Sequence, residues 1–171
     1  MTADGKPVVT RLGIAAYVLA AGVAVLDQLS KWWIIDGLHL DQKGQVPVLP
    51  FLNLTMVENR GVSYGLMRAD TDIQRYLLVA AAFAVVVALI AWARRADRPV
   101  FAAALGLVIG GAVGNNLIDR VRLGHVIDFI DVSALHFPWV FNVADSAISV
   151  GVVLLLLDVF VFGKSSEDKA T

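Results

Sequence analysis

The sequence contains no cysteine and only three histidines, and both shortages remove classes of chemistry. Without cysteine the chain forms no disulfide, offers no thiolate to a metal or a substrate, and carries no lipid on sulfur. The histidines are His39, His125 and His136, and none shows a metal-ligand spacing with the carboxylates. We therefore predict no metal site.

Charge is also scarce and nearly balanced, since 17% of the residues are charged and the net charge is -1. No basic block and no basic face with aromatic residues is present, so no nucleic-acid partner is expected. Apolar residues are abundant instead, at 58% of the chain. Such a share is well above that of a soluble globular domain and indicates a membrane protein.

Four apolar segments are long enough to cross a bilayer, which takes about 20 residues in a helix. They cover about 12–35, 76–93, 100–118 and 140–162. Basic residues ahead of the first segment resemble the start of a secretory signal, but the apolar run is too long, and Asp27 and Lys31 occupy the place of a cleavage site. We predict an all-α integral membrane protein with four transmembrane helices, forming one domain over residues 1–171.

The connection between the second and third spans, "RRADRP", is short and basic. The positive-inside rule places it in the cytoplasm, and an even number of spans then places both termini there. Residues 36–75 and 119–139 lie on the outer side, and the prolines and β-favouring residues of "VPVLPFLNLTMV" predict a small hairpin or sheet. Residues 164–171 are expected to form a disordered tail.

Costly polar side chains from three spans fall at one depth, in the outer leaflet. Asp27 and Lys31 have the i, i+4 spacing of an ion pair on one helix face. The third span ends outward in "GNNLIDR", and the fourth re-enters with Asn142 and Asp145, which we expect on one helical face. Ionisable groups inside a membrane usually face a bundle interior or a wet cavity and indicate function.

Structural roles compete with function for most of these residues taken singly. Asp27 with Lys31 can pin helices together, Asp119 with Arg120 can fix the end of the third helix, and an asparagine can join helices. Asp145 has no basic residue within a turn of its own helix. Its natural partner lies in "GHVIDFIDV", which contains Asp128 and Asp131.

Two carboxylates brought together at the edge of a bilayer share a proton, so that one is a base while the other is an acid. Such a pair can activate a water and protonate an amide leaving group, as an aspartic protease does. The alternative is a proton- or ion-coupled transporter with an outer-leaflet carboxylate site. It is disfavoured because the polar groups cluster at one face and do not step across the membrane.

Four segments in this order, "DQLSKWWI", "ENRGVSYGL", "GGAVGNNLIDRVRLGHVIDFID" and "FNVADSAI", resemble the signature blocks of bacterial lipoprotein signal peptidase, or signal peptidase II. The resemblance implies four transmembrane helices with a small extracytoplasmic β-cradle and a short amphipathic helix over the site. It implies a multi-pass protein of the bacterial inner membrane with its active site at the outer face.

The same resemblance implies an aspartic endopeptidase that removes the signal peptide from a diacylglyceryl-modified prolipoprotein, cutting before the lipidated Cys. Two carboxylates and a water need no cofactor. The implied partners are the lipidated prolipoprotein, membrane lipids and inhibitors of the globomycin type.

Carried over by motif, the catalytic pair is Asp128 of "VIDF" and Asp145 of "NVAD". Asp131 is a rival to Asp128 on spacing, and the resemblance decides for Asp128. Family residues that support the site or contact substrate match Asp27, Lys31, Asn59, Gly61, Asn116, Asp119, Arg120 and Asn142.

One block departs from the family pattern, because "GNNLIDR" contains an additional Asn. Counting back from Asp119 selects Asn116 as the site residue, whereas counting forward from Gly111 favours Asn115. Both remain open.

We expect the substrate's acyl chains to lie in lipid against the bundle, with the scissile bond at the level of the two carboxylates. Arg120 is expected to hold a substrate carbonyl or a lipid headgroup. Residues 36–75 are expected to clamp the extended peptide from the water side, with Gly61 and Gly65 permitting that segment to move.

Overall fold

A computed structural model of the chain describes residues 8–61 and 71–162. Four of its helices are long and apolar enough to cross a membrane, which confirms the predicted architecture. Gly65 and the predicted tail at 164–171 lie outside the described residues. The helices are α1 (Arg11–Trp32), α2 (Leu40–Lys43), α3 (Asp72–Ala93), α4 (Pro99–Ala112), α5 (Arg120–Arg122) and α6 (Val143–Phe162).

Two of the long helices change pitch at their C-terminal ends. A π-helical turn, Trp33–Gly37, extends α1, and a longer π-helical segment, Val113–Asp119, joins α4 to α5. Such segments are wider than an α-helix, so they alter which side chains share a face, and they often occur at functional sites. Both lie at the depth where the sequence concentrates its polar residues.

Helix α4 is the centre of the bundle, because it packs against α1, α3 and α6 and is the most buried of the four spans. Its glycines allow close approach. A Cβ atom on Gly106 or Gly110 would come within 2.7 or 2.5 Å of a backbone oxygen of α1, and one on Gly111 within 2.5 Å of the Ala144 oxygen in α6. Small residues let membrane helices pack closely. The C-terminal ends of α1 and α4 are thereby brought close to the N-terminal end of α6.

The segments that follow the first and third spans form a four-stranded antiparallel sheet in the order β1-β2-β3-β4. The first two strands are the hairpin expected in residues 36–75. The third comes from "GHVIDFIDV" and pairs with β2, so that Asp128 lies opposite Val57 and Val126 lies opposite Asn59. The strands are β1 (Gln45–Leu49), β2 (Leu52–Asn59), β3 (Val126–Asp131) and β4 (Val140–Phe141).

The start of the fourth span differs from the prediction. Val140 and Phe141, which hydropathy assigned to the helix, pair with Asp131 and Ile130 and extend the sheet. Helix α6 begins only at Val143. A short apolar strand and the first turn of an apolar helix cannot be distinguished by composition alone.

Helix α2 is short and amphipathic, and it anchors the sheet. Its Leu40 is fully buried in a cluster with Ile34 of the extended α1 and with Ile127 and Phe129 of β3. Side chains alternate along a strand, so Asp128 points to the opposite face. The helix over the site that the resemblance implies is therefore not α2.

Candidate active site

A buried ion cluster lies at the C-terminal end of α1. The Lys31 ammonium donates to Asp27 Oδ2 and Asn115 Oδ1, each at 2.7 Å, and lies 2.6 Å from Asp119 Oδ2. All four side chains are buried. An ammonium has three donors, so each has an acceptor. The Asp27–Lys31 ion pair predicted from spacing is confirmed, and it includes Asp119.

The two carboxylates of this cluster also connect the helices to one another. Asp27 Oδ1 accepts the Ala144 backbone N–H at 3.0 Å, which joins α1 to the first turn of α6. Asp119 accepts from Gln28 of α1 at 2.8 Å and from the Ile127 backbone N–H of β3 at 3.4 Å. Asp119 therefore fixes the end of the third span by binding α1 and β3.

Asn142 is fully buried and joins the two candidate catalytic residues. Its Nδ2 donates to Asp128 Oδ1 at 2.7 Å, to Asn115 Oδ1 at 3.1 Å and to the Ile127 oxygen at 3.1 Å. Its Oδ1 accepts the Asp145 backbone N–H at 2.8 Å, while Asp145 Oδ2 accepts the Asn142 backbone N–H at 3.2 Å.

The reciprocal pair of bonds between Asn142 and Asp145 is a capping box at the start of α6. The expectation that these two side chains share a helical face is therefore wrong. Asn142 precedes the helix, so its spacing of three residues from Asp145 is that of an N-cap residue and its capping partner, and not that of two residues on one helical turn. The capping bonds hold the Asp145 carboxyl close to the end of β4.

Asp128 and Asp145 line one cavity of about 1150 Å³. Asp128 is 3% exposed and also accepts from Asn59 Nδ2 at 3.0 Å, whereas Asp145 accepts from Asn115 Nδ2 at 2.8 Å. Burial, together with the charge of Asp145, raises the pKa of Asp128 to about 7. A carboxyl with such a pKa exchanges a proton near neutral pH, as an acid–base pair requires.

Asp131 lies in a different environment on β3. It accepts from Thr55 at 2.7 Å, from Gln45 at 3.3 Å and from the Ser133 backbone N–H at 2.9 Å. These hydrogen bonds, that from Thr55 first, lower the pKa of Asp131. Asp131 is thus held as an ionised acceptor, which favours Asp128 as the acid–base group.

The two neighbouring asparagines have different partners. Asn115 contacts Lys31, Asn142 and Asp145, whereas Asn116 accepts from Arg120 Nε at 3.1 Å. Counting back from Asp119 therefore selects the residue that does not contact the carboxyl pair. The intervening residues are π-helical, and the wider turn shifts the faces relative to α-helical counting.

Arg120 is 4% exposed and contacts Gly61, which lines the cavity. It donates to the Gly61 oxygen, and the Gly61 backbone N–H donates to Asn59 Oδ1 at 3.0 Å. Asn59 in turn contacts Asp128, so a chain of hydrogen bonds leads from Arg120 to that carboxyl. Within the described ranges, Arg120 Nη1 is buried without a hydrogen-bond partner.

An aromatic wall that the sequence analysis missed completes the cavity. Phe137 packs edge-on against Trp139 and Phe141, with ring centroids 5.0 and 5.9 Å apart. The alternation of aromatic residues in "HFPWVF" is the signal that was available. Ser146 and Ser149 of α6 also line the cavity. Residues 8–61 and 71–162 hold no group of three or more His, Asp or Glu able to bind a metal.

The chain is similar to known proteins both in sequence and in fold. The family model for signal peptidase (SPase) II matches residues 19–161. A lipoprotein signal peptidase of Caulobacter vibrioides is 54% identical over 161 residues, which cover 94% of each chain. One of Rhizorhabdus wittichii is 43% identical over 157 residues, which cover 91% of this chain and 89% of the relative.

Two solved structures of bacterial membrane enzymes, both obtained by the in meso method, superpose on the chain. The first has a TM-score of 0.73 at 26% identity and covers 91% of both chains. The second has a TM-score of 0.71 at 29% identity and covers 86% of this chain and 93% of its own.

Proposed function

The chain belongs to the signal peptidase II family, and from this membership we propose that it is an aspartic endopeptidase acting on diacylglyceryl-modified prolipoproteins. It would cut before the lipidated Cys and release the signal peptide. The protein is a multi-pass peptidase of the bacterial inner membrane. The observation that carries the aspartic mechanism is that Asp128 and Asp145 line one cavity and share Asn142 as a partner.

In the proposed reaction the two carboxyls share one proton. The ionised carboxylate takes a proton from a water, and the resulting hydroxide attacks the carbonyl before the lipidated Cys. The neutral carboxyl gives its proton to the amide nitrogen as the C–N bond breaks. The products are a free carboxyl group on the signal peptide and a free amine on the Cys. The pair titrates jointly, so neither residue is assigned a fixed protonation state.

The surrounding charges support a shared proton. Asp27 and Asp119 bind Lys31 and balance most of its positive charge. Lys31 therefore does little to stabilise a second negative charge on the pair formed by Asp128 and Asp145. Amide donors from Asn59 and Asn142 hold Asp128, so its orientation does not depend on an ionised partner. One negative charge shared by two carboxyls costs less in a buried site than two.

The cavity also fits a lipidated substrate. The aromatic residues line it together with residues of α6, and α6 exposes apolar side chains, among them Val150 and Val153. Acyl chains in the bilayer against this surface would bring the scissile bond to the carboxyl level. Arg120 Nη1 has no hydrogen-bond partner among residues 8–61 and 71–162 and would donate to a substrate carbonyl, since leaving a buried donor unpaired is costly. Inhibitors of the globomycin type would occupy the same cavity.

The described residues of this segment, 36–61 and 71–75, would clamp the extended peptide from the water side, with Gly61 as a point of movement. Cross-link distances between β2 and the end of α6 that are identical with and without a globomycin-type inhibitor would contradict this. The orientation, with both termini cytoplasmic and the active site at the outer face, is part of the same proposal.

The test uses the purified protein in lipid with a diacylglyceryl-modified prolipoprotein, and follows the mobility shift on cleavage. We expect wild type and Asp131→Asn to cleave, and Asp128→Asn and Asp145→Asn to be inactive. Asp131→Asn is the matched control, since it changes a carboxyl three positions away on the same strand. Chelators are expected to leave activity unchanged. Folded wild type without cleavage would contradict the proposal and favour a proton-flux assay.

A further inference from the structure

Helix α6 places a hydroxyl in the cavity that the proposed hydrolysis does not use. Ser149 lines the cavity together with Asp145 and is exposed there. In the part of the chain that the structure describes, the Ser149 hydroxyl makes no hydrogen bond. The nearby Ser146 hydroxyl, by contrast, donates to the Asn142 oxygen at 3.0 Å. Ser149 is therefore an available donor beside the candidate carboxyls.

Helix geometry fixes where this hydroxyl lies. Residues four apart in a helix share a face, so Ser149 follows Asp145 on the cavity side at a depth about 6 Å further into the membrane. Gly151 faces the opposite way, because a Cβ atom there would lie 2.8 Å from the Ala104 oxygen of α4. Ser149 therefore points away from the bundle core, toward lipid.

The substrate class of the proposed function places a polar group at that depth. Its Cys carries two fatty esters on a glyceryl thioether. About eight bonds lead from the scissile nitrogen, through sulfur, to the oxygen of the nearer ester carbonyl, a reach of roughly 6–10 Å. With the scissile bond at Asp145 and the acyl chains in lipid, that carbonyl comes level with Ser149.

We propose that the Ser149 hydroxyl donates a hydrogen bond to an ester carbonyl of the diacylglyceryl group and thereby selects lipid-modified substrates. The inference rests on the proposed function and deepens it. The ester carbonyl loses its hydrogen bonds to water when the substrate binds. A hydrogen-bond donor at this depth therefore favours binding of the esterified substrate over the unmodified one. Unmodified Cys presents no carbonyl there.

The test compares two synthetic lipopeptides in nanodiscs, one with ester-linked chains and one with ether-linked chains, which lack the carbonyl. We expect wild type to show a kcat/KM about 3- to 10-fold higher for the ester, the range of one neutral hydrogen bond. Ser149→Ala should lose that preference by slowing on the ester alone, and Ser149→Thr should keep it.

Ser146→Ala is the matched control and should keep the wild-type preference, because its hydroxyl is used within the helix. The ester-to-ether ratio does not respond to a general loss of folded enzyme. A wild-type preference that survives in Ser149→Ala, or a wild type that treats both peptides alike, would overturn the inference alone. Cleavage of neither peptide by wild type would overturn the proposed function as well.

Discussion

Lys31 provides the positive charge that allows two buried carboxylates to sit between α1 and the π-helical segment. Its ammonium reaches both Asp27 and Asp119 at hydrogen-bond distance. Taking charges out of water is expensive, and such a group is stable only while its partners are present. The neighbouring carboxyl pair depends on the same geometry through Asn115.

Replacement of this lysine by an apolar residue should therefore be severe. We expect Lys31→Met to lower the free energy of unfolding by about 3–5 kcal/mol, because it leaves Asp27 and Asp119 uncompensated. Unfolding in detergent measures the loss. Lys43→Met, at an exposed lysine of α2, is the control and should change stability by less than about 0.5 kcal/mol. Equal losses in the two variants would contradict this account.

We expect ionisation of Asp128 to lower the free energy of unfolding as the pH rises. Its folded pKa, about 7, is above the ordinary value near 4, so the folded chain holds this proton more tightly than the unfolded chain. The stabilisation is complete below about pH 4 and is lost as the pH rises to about 7. We expect Asp128→Asn to exceed wild type in stability by about 1–3 kcal/mol at pH 8, and to match it near pH 4.

Thermal unfolding at the two pH values measures this difference. Asp131→Asn should behave in the opposite sense, because hydrogen bonds from Thr55 and its neighbours lower the pKa of that carboxyl. Its ionised form stabilises the fold above about pH 4, so the variant should be less stable than wild type at pH 8. The same sign for both variants would refute the assignment.

The cap of α6 is both a structural and a site element, whereas the cap of α3 is structural. Thr71 and Gln74 form the capping box of α3. Asn142 caps α6 and also contacts Asp128 and Asn115. Variants of the two caps can therefore distinguish the effect of a cap on helix stability from its effect on the Asp128 and Asp145 carboxyls.

We expect Thr71→Ala to cost about 1 kcal/mol of stability, with little change in kcat. Asn142→Ala should cost more and also lower kcat about 10- to 100-fold, because Asp128 loses a charge-assisted partner. Cleavage rates and melting temperatures of the two variants in the same lipid measure this. A similar kcat for both would contradict the role given to Asn142.

Close packing of α4 on α1 depends on glycine. A Cβ atom on Gly110 would lie 2.5 Å from the Ala20 backbone oxygen, whereas one on Gly22 of α1 would meet nothing within 4 Å. We expect Gly110→Leu to separate the helices and abolish cleavage, and Gly22→Leu to be tolerated. Melting temperature and activity measure both variants. Normal activity in Gly110→Leu would show that this contact does not position the site.

Exposed tryptophans lie near the two ends of the helical bundle. Trp32 and Trp33 lie where α1 passes into its π-helical extension, and Trp92 lies at the C-terminal end of α3. Tryptophan concentrates at membrane interfaces, so we expect the Lys31 cluster close to one of the two interfaces. At the opposite end, Arg98 and Asp158 form a 2.9 Å ion pair that ties the α3–α4 connection to α6.

The absence of cysteine makes the orientation directly testable. We introduce Gln42→Cys on α2 or Asp97→Cys in the basic connection, both at exposed positions. A membrane-impermeant maleimide added to spheroplasts should label the first variant and not the second. Lysis should make both reactive. Labelling of Asp97→Cys alone before lysis would invert the proposed topology.

The four spans follow from the amino-acid pattern alone, because a bilayer core of fixed thickness requires about 20 apolar residues whatever the fold. The pattern also determined the Asp27–Lys31 pair, since i, i+4 contacts are local to one helix. The motif blocks led to the family, and the catalytic roles of Asp128 and Asp145 stay predictions. All of these depend on residues near one another in the chain or on the order of the motif blocks.

Long-range contacts bring the Asp128 and Asp145 carboxyls to one cavity. Asp128 reaches the cavity because β3 pairs with β2, a contact between segments far apart in the chain. Asn115 hydrogen-bonds Asp145, whereas Asn116 accepts from Arg120, and the third span is π-helical there. Asn142 became a cap because the two residues before it pair with β3. Long-range pairing and helix pitch depend on the packed whole, and no local pattern encodes them.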